Sequence, residues 1–157
     1  MPLPKYTRRE FCIHSVQTTS LAAVVTALTG CGGSPSGPSG GGTLPALPTV
    51  NSSIVASTIT LNIDGSSPLN TVGNAALVNA SGRSFLVART AQSTFTALTA
   101  VCTHEACTVS NYQNQVYECP CHGSQYNTSG GVTKGPAPRS LSSFATNFSG
   151  TVLTISV

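Results

Sequence analysis

Apolar and polar residues alternate with a period of two through most of the C-terminal part of this chain. Residues 58–63 (TITLNI) and 153–157 (LTISV) each place apolar side chains at every second position, the pattern of a strand with one face buried. Residues 75–79 and 84–89 are two further strand-like runs, separated by Ala80-Ser81-Gly82-Arg83, and together they predict a hairpin. Residues 94–101 predict another strand, and 116–118 a short one. No stretch here carries a convincing helical period. Short strands broken by turn signals predict an all-β domain, a small antiparallel β-sandwich.

The N-terminal segment has a different pattern. Lys5, Arg8 and Arg9 precede a short apolar run at residues 21–28 (LAAVVTAL), as in an export signal. The run is too short to span a bilayer, which needs about 20 apolar residues. Thr7-Arg8-Arg9-Glu10-Phe11 resembles the twin-arginine motif that exports folded proteins, and Leu28-Thr29-Gly30-Cys31 resembles a lipobox, with Cys31 as the lipidated residue. Such an anchor holds a domain on a membrane surface rather than through it. The Gly, Ser and Pro residues that follow predict a linker. The expected organisation is an export signal at 1–30, a lipid-anchored linker at 31–49 and one domain at 50–157.

Charge adds a limit. The formal net charge is +3, but from Cys31 onward Arg83, Arg89, Lys134 and Arg139 face Asp64, Glu105 and Glu118. No basic patch suggests nucleic acid. So few charges predict a polar surface of Ser, Thr and Asn, as is common outside the cell.

The candidate chemistry lies in two boxes. Cys102-Thr103-His104-Glu105-Ala106-Cys107 is followed, after eleven residues, by Cys119-Pro120-Cys121-His122-Gly123-Ser124. The boxes hold four cysteines and two histidines, and the third histidine, His14, falls in the signal. A zinc site would leave two cysteines over, and two plain disulfides would leave the histidines without a task. A [2Fe-2S] cluster takes four protein ligands, and histidines in place of two thiolates on one iron raise its potential.

The boxes strongly resemble those of the Rieske iron-sulfur proteins, which read C-T-H-x-x-C and C-P-C-H-G-S. The resemblance implies that Cys102, His104, Cys119 and His122 ligate a [2Fe-2S] cluster of Rieske type, and that Cys107 and Cys121 form a disulfide tying the two loops together. The run from Gly123 to Pro138 is similar to the Rieske subunits of the cytochrome bc1 and, especially, b6f complexes. In those subunits the serine hydroxyl donates to a bridging sulfide and the tyrosine hydroxyl to a ligand sulfur. Ser124 and Tyr126 are therefore expected to raise the potential. Gly135, Pro136, Ala137 and Pro138 resemble the proline loop that covers the cluster.

One departure bears on function. The quinol-complex proteins usually read C-T-H-L-G-C, and here the Leu-Gly pair is Glu105-Ala106. A carboxylate is costly to bury unpaired in an apolar quinol pocket, and its charge beside the cluster would lower the potential. The expected function is a high-potential electron carrier on an exported membrane face, anchored through lipid and paired with a cytochrome b or c or another oxidoreductase subunit. The alternatives are a small Rieske subunit of another exported oxidoreductase, of the arsenite oxidase type, and a non-redox metal-binding module. No residue is expected to be catalytic in its own right.

Overall fold

The computed structural model describes residues 44–157. The export signal, Cys31 and the first part of the linker lie outside the described residues. Twelve strands follow one another: β1 (Thr49–Ser52), β2 (Ile54–Val55), β3 (Thr58–Asn62), β4 (Ala75–Ala80), β5 (Arg83–Ala91), β6 (Thr94–Thr99), β7 (Asn111–Gln113), β8 (Val116–Glu118), β9 (Gln125–Asn127), β10 (Val132–Lys134), β11 (Ser143–Ser149) and β12 (Val152–Ser156). The expected all-β class is what forms. Among the described residues no helix is long and apolar enough to cross a membrane.

The strands make two sheets. The large one has the order β1-β4-β5-β6-β11-β12-β3-β2, and the small one β10-β9-β8-β7. Its edge strands β1 and β2 are separated in sequence by Ser53 alone, and β1 also packs against β3, so the large sheet curls back on itself. The small sheet is an excursion between β6 and β11, which pair directly through Ser143 opposite Leu98. One pairing departs from the expected antiparallel sheet: β1 runs parallel to β4, with Val50 opposite Val78. A parallel neighbour needs a crossover connection, and the chain from β2 through β3 to residue 74 supplies one.

The hairpin of β4 and β5 turns at Ser81 and Gly82, both with positive φ, as a two-residue turn of this type requires. Its strands are buried on both faces, unlike the one-sided β3 and β12. Phe85 and Val87 enter one hydrophobic cluster with Ile59, Leu61 and Ile155, while Leu86 and Ala88 enter another with Leu98, Tyr117 and Tyr126. This hairpin is a wall shared by two cores, so both of its faces are apolar. The second core contains Cys102 and Cys119, which roots the site in packed protein rather than in a surface loop.

Packed chain begins before Val50. The Leu44 amide donates to Glu118 Oε1 (2.9 Å), the Tyr112 amide to the Pro45 carbonyl (2.9 Å), and the Leu47 amide to the Ser110 carbonyl (2.7 Å). Leu47 itself is buried in the core that holds the cysteines. Residues 44–48, placed in the linker by composition, thus form a strap along the small sheet.

Candidate metal centre

The two boxes form loops with the same backbone scheme. In the first, the Cys102 carbonyl accepts from the Ala106 amide (2.9 Å) and the Cys102 amide donates to the Cys107 carbonyl (2.8 Å). In the second, the Cys119 carbonyl accepts from the Gly123 amide (2.9 Å) and the Cys119 amide donates to the Ser124 carbonyl (2.9 Å). Each loop needs a left-handed residue at its fifth position: Ala106 at φ 57° and Gly123 at φ 72°. Turns of this kind aim side chains from one small ring of backbone toward a common point.

The sequence-derived residues meet there. Cys107 and Cys121 form a disulfide, Cα–Cα 6.5 Å, that ties one loop to the other. Cys102 and Cys119 stay as free thiols, both buried, so the reading of two plain disulfides fails. The rings of His104 and His122 stand edge to face with centroids 4.8 Å apart. Glu105 reaches across from the first loop, its Oε2 3.8 Å from His122 Nε2, and both side chains are well exposed.

Burial and hydrogen bonding treat the two thiols differently. Burial pushes Cys102 up, but the Tyr126 hydroxyl and the amides of His104 and Glu105 outweigh it, and the net shift is downward. Burial pushes Cys119 up, and the neighbouring Cys102 adds to this. Cys102 therefore ionises first. Tyr126 is fully buried, and its burial together with its bond to Cys102 pushes the phenol up. The hydroxyl stays protonated and able to donate.

That hydroxyl lies 3.3 Å from Cys102 Sγ. It accepts from the Thr103 amide (3.2 Å) and sits 3.2 Å from Thr103 Oγ1. Thr103 donates its own proton to the Arg139 carbonyl (2.6 Å), which leaves the Tyr126 proton for Cys102 Sγ or Thr103 Oγ1. Ser124, fully buried, accepts from the Ala137 amide (3.0 Å). Its hydroxyl proton has no partner among these contacts and is free to serve a sulfur. Gly135, Pro136, Ala137 and Pro138 are thereby held over the second loop, Ala137 being the buried one.

Sequence reading missed two braces. Thr103 ties the first box to Arg139, and the buried Glu118 accepts from the Leu44 strap and from Gln125 Nε2 (2.8 Å). The signal for the second was present: an acidic residue directly before a candidate ligand inside an otherwise apolar strand.

The donor set fits a two-iron cluster. Two free thiols are buried, the Nδ1 of His104 is buried without a partner, an orphan that a bound metal would satisfy, and the exposed imidazole of His122 stands beside it. Two sulfurs and two nitrogens are the ligands of a [2Fe-2S] centre with histidines on one iron. Only four of the six Cys and His side chains of the boxes remain free once the disulfide has formed.

Comparison with known proteins agrees. The model of the Rieske [2Fe-2S] domain family matches residues 62–145. Over 39 residues the chain is 54% identical to the cytochrome b6-f complex iron-sulfur subunit of Synechococcus sp. (strain JA-2-3B'a(2-13)), a match covering 24% of this chain and 23% of that protein. Over 47 residues it is 49% identical to the same subunit of Nostoc punctiforme, covering 29% and 26%. The matched segment spans about a quarter of the length of these relatives. Among solved structures, the cyanobacterial plasma membrane Rieske protein PetC3 from Synechocystis PCC 6803 aligns with a TM-score of 0.52 at 31% identity, over 62% of this chain and 99% of that one. The ferredoxin of carbazole 1,9a-dioxygenase from Nocardioides aromaticivorans IC177 aligns with a TM-score of 0.50 at 16% identity, over 62% and 96%, a likeness of fold alone.

Proposed function

The chain belongs to the Rieske [2Fe-2S] domain family, whose pattern covers more than half of its length, and from that premise we propose that it is a high-potential one-electron carrier held at an exported membrane face. Its cofactor is a [2Fe-2S] cluster. Cys102, His104, Cys119 and His122 would hold it, and bound there it takes up and releases a single electron. The observation that carries the high-potential reading is the Tyr126 hydroxyl, 3.3 Å from Cys102 Sγ. A donor aimed at a ligand sulfur favours the more negative, reduced state and raises the potential.

The chain's other residues serve the same end. The disulfide fixes the spacing of the loops, Ser124 offers a second hydroxyl from a fully buried position, and the loop at 135–138 is pinned to it through the Ala137 amide. His122 is half exposed and His104 borders an open groove, so a partner's redox centre can come close to both. Membrane attachment through Cys31 is supported by the lipobox-like Leu28-Thr29-Gly30-Cys31, and a cytochrome-type partner by the similarity to b6-f subunits.

A redox titration of the purified protein, followed by electron paramagnetic resonance, tests this reading. A reduced signal of mixed-ligand type with a high midpoint potential is expected, and a low midpoint sinks it. A second reading, the small Rieske subunit of another exported oxidoreductase of the arsenite oxidase type, is favoured by Glu105, whose side chain is 62% exposed at the tip where quinol-complex proteins carry leucine. Co-purification from native membranes separates the two: a cytochrome b supports the first, a molybdenum subunit the second.

A further inference from the structure

Two grooves adjoin beside the first box and share Val101 as the ridge between them. One, of about 410 Å³, is bordered by His104, Glu105 and Arg139; the other, of about 240 Å³, by Arg83 and Phe85. Val101 is 50% exposed, an apolar side chain left open among polar ones. The Arg83 guanidinium lies over the Phe85 ring, 4.9 Å from its centroid, and 5.8 Å from that of Phe144. Stacking holds the cation in place while its N–H edge remains available. Arg139 is placed by its own carbonyl, which Thr103 binds. Neither arginine is paired with a carboxylate among the described residues.

Charge is sorted along the domain. Arg83 stands at the turn of the β4 and β5 hairpin, and Lys134 and Arg139 flank the loop at 135–138, all exposed and all at the end that carries the boxes. Exposed Asp64 lies at the other end, where the Ile63 amide meets the Thr151 carbonyl. At the site end Glu105 is the exposed acid among the described residues, and it is engaged with His122; Glu118 is buried beneath the surface.

We propose that the ridge of Val101 with Arg83 and Arg139 is the docking face for an acidic electron-transfer protein, whose carboxylates meet the two arginines and whose redox centre is brought against His104. This rests on the carrier reading above. One electron passes from the reduced protein to the oxidised partner, and no bond forms or breaks. Carboxylates opposite fixed arginines raise the encounter rate more than they tighten the complex.

Stopped-flow oxidation of the reduced, full-length protein tests it, with an acidic plastocyanin and a basic cytochrome c as probe partners. The plastocyanin rate is expected to fall several-fold as ionic strength rises from about 10 to about 200 mM, while the cytochrome c rate rises. Arg83→Gln and Arg139→Gln each lower the low-salt plastocyanin rate and flatten its salt dependence, with spectrum and midpoint potential unchanged, and Arg83→Lys restores most of the loss. A plastocyanin rate that is flat or rises with salt, or that ignores both substitutions, overturns the proposal. A protein that lacks the reduced signal or is not oxidised by ferricyanide overturns the carrier reading instead, so the two failures are told apart.

Discussion

In the first loop the Ala106 amide closes back on Cys102 and in the second the Gly123 amide closes back on Cys119, through the same pair of hydrogen bonds within 0.1 Å. What the rings carry differs. The second loop is interior: Gly123 and Ser124 are buried, and Ser124 is bonded to Ala137. In the first loop Glu105 and Ala106 are exposed, and those are the two positions where the chain departs from the usual C-T-H-L-G-C. Ligand geometry thus comes from backbone that both loops share, while change collects where burial does not constrain it. On the carrier reading proposed above, donors from the interior side would tune the cluster, and the exposed loop would be free to meet different partners.

Cutting the tie between the loops should produce the largest effect. Cys121→Ser or Cys107→Ser removes the one covalent link between them, and loss of a native disulfide in a small domain costs about 2–5 kcal/mol. Denaturant unfolding of the cluster-loaded protein should register that loss, and cluster absorbance should fall with it. Stability unchanged to within about 0.5 kcal/mol would show that the loops are held by their own hydrogen bonds.

Next comes the donor from the interior side. Tyr126→Phe keeps the ring that packs beside Leu98 and Tyr117 and removes the hydroxyl at Cys102 Sγ. If that bond is worth about 1 kcal/mol more in the reduced state, the midpoint potential falls by roughly 40 mV. An unmoved potential would mean that the Tyr126 proton goes to Thr103 Oγ1 instead. Tuning would then not come from the interior side through this hydroxyl.

How far such contrasts can be read from sequence depends on what each position must do. The boxes were legible because iron needs thiolate and imidazole, and few other residues can substitute. The disulfide followed from resemblance alone. The strap at residues 44–48 was hidden by its prolines, which read as linker; yet Pro45 and Pro48 take part through their carbonyls, the one hydrogen-bonding group a proline keeps. Strand β11 passed unnoticed because its inner face carries only two large apolar residues, Phe144 and Phe148, both partly buried and separated by Ala145, Thr146 and Asn147. The two-sided burial of β5 was not legible either, since the hairpin reading of residues 84–89 says nothing about what covers each face.

The shared backbone gives a prediction of intermediate size. A non-glycine residue in left-handed conformation carries about 1 kcal/mol of strain, and only the first loop holds one, Ala106 at φ 57°. Ala106→Gly should stabilise the protein by up to about 1 kcal/mol, less what glycine adds to the freedom of the unfolded chain. Gly123→Ala should destabilise it by a similar amount or more, because that site is buried. Thermal unfolding of both variants checks the equivalence; equal and opposite shifts support it, and shifts of the same sign break it.

The smallest effect belongs to the exposed tip. Glu105→Gln removes a negative charge near the cluster, so the added electron is less opposed and the potential rises. The carboxylate is 62% exposed and 3.8 Å from His122 Nε2, and solvent screens such a pair to a few tenths of a kcal/mol, about 10 mV for one electron. Redox titration at low and high salt measures it, and salt should shrink the difference further, since exposed charges are screened within about 10 Å. The interior and tip positions then differ by a factor of about four in potential, and they differ in salt response as well. A Glu105→Gln shift as large as that of Tyr126→Phe would require the tip carboxylate to act through a medium drier than its exposure allows. In that case the exposed loop, and not the interior one, would set the potential at which this protein exchanges electrons.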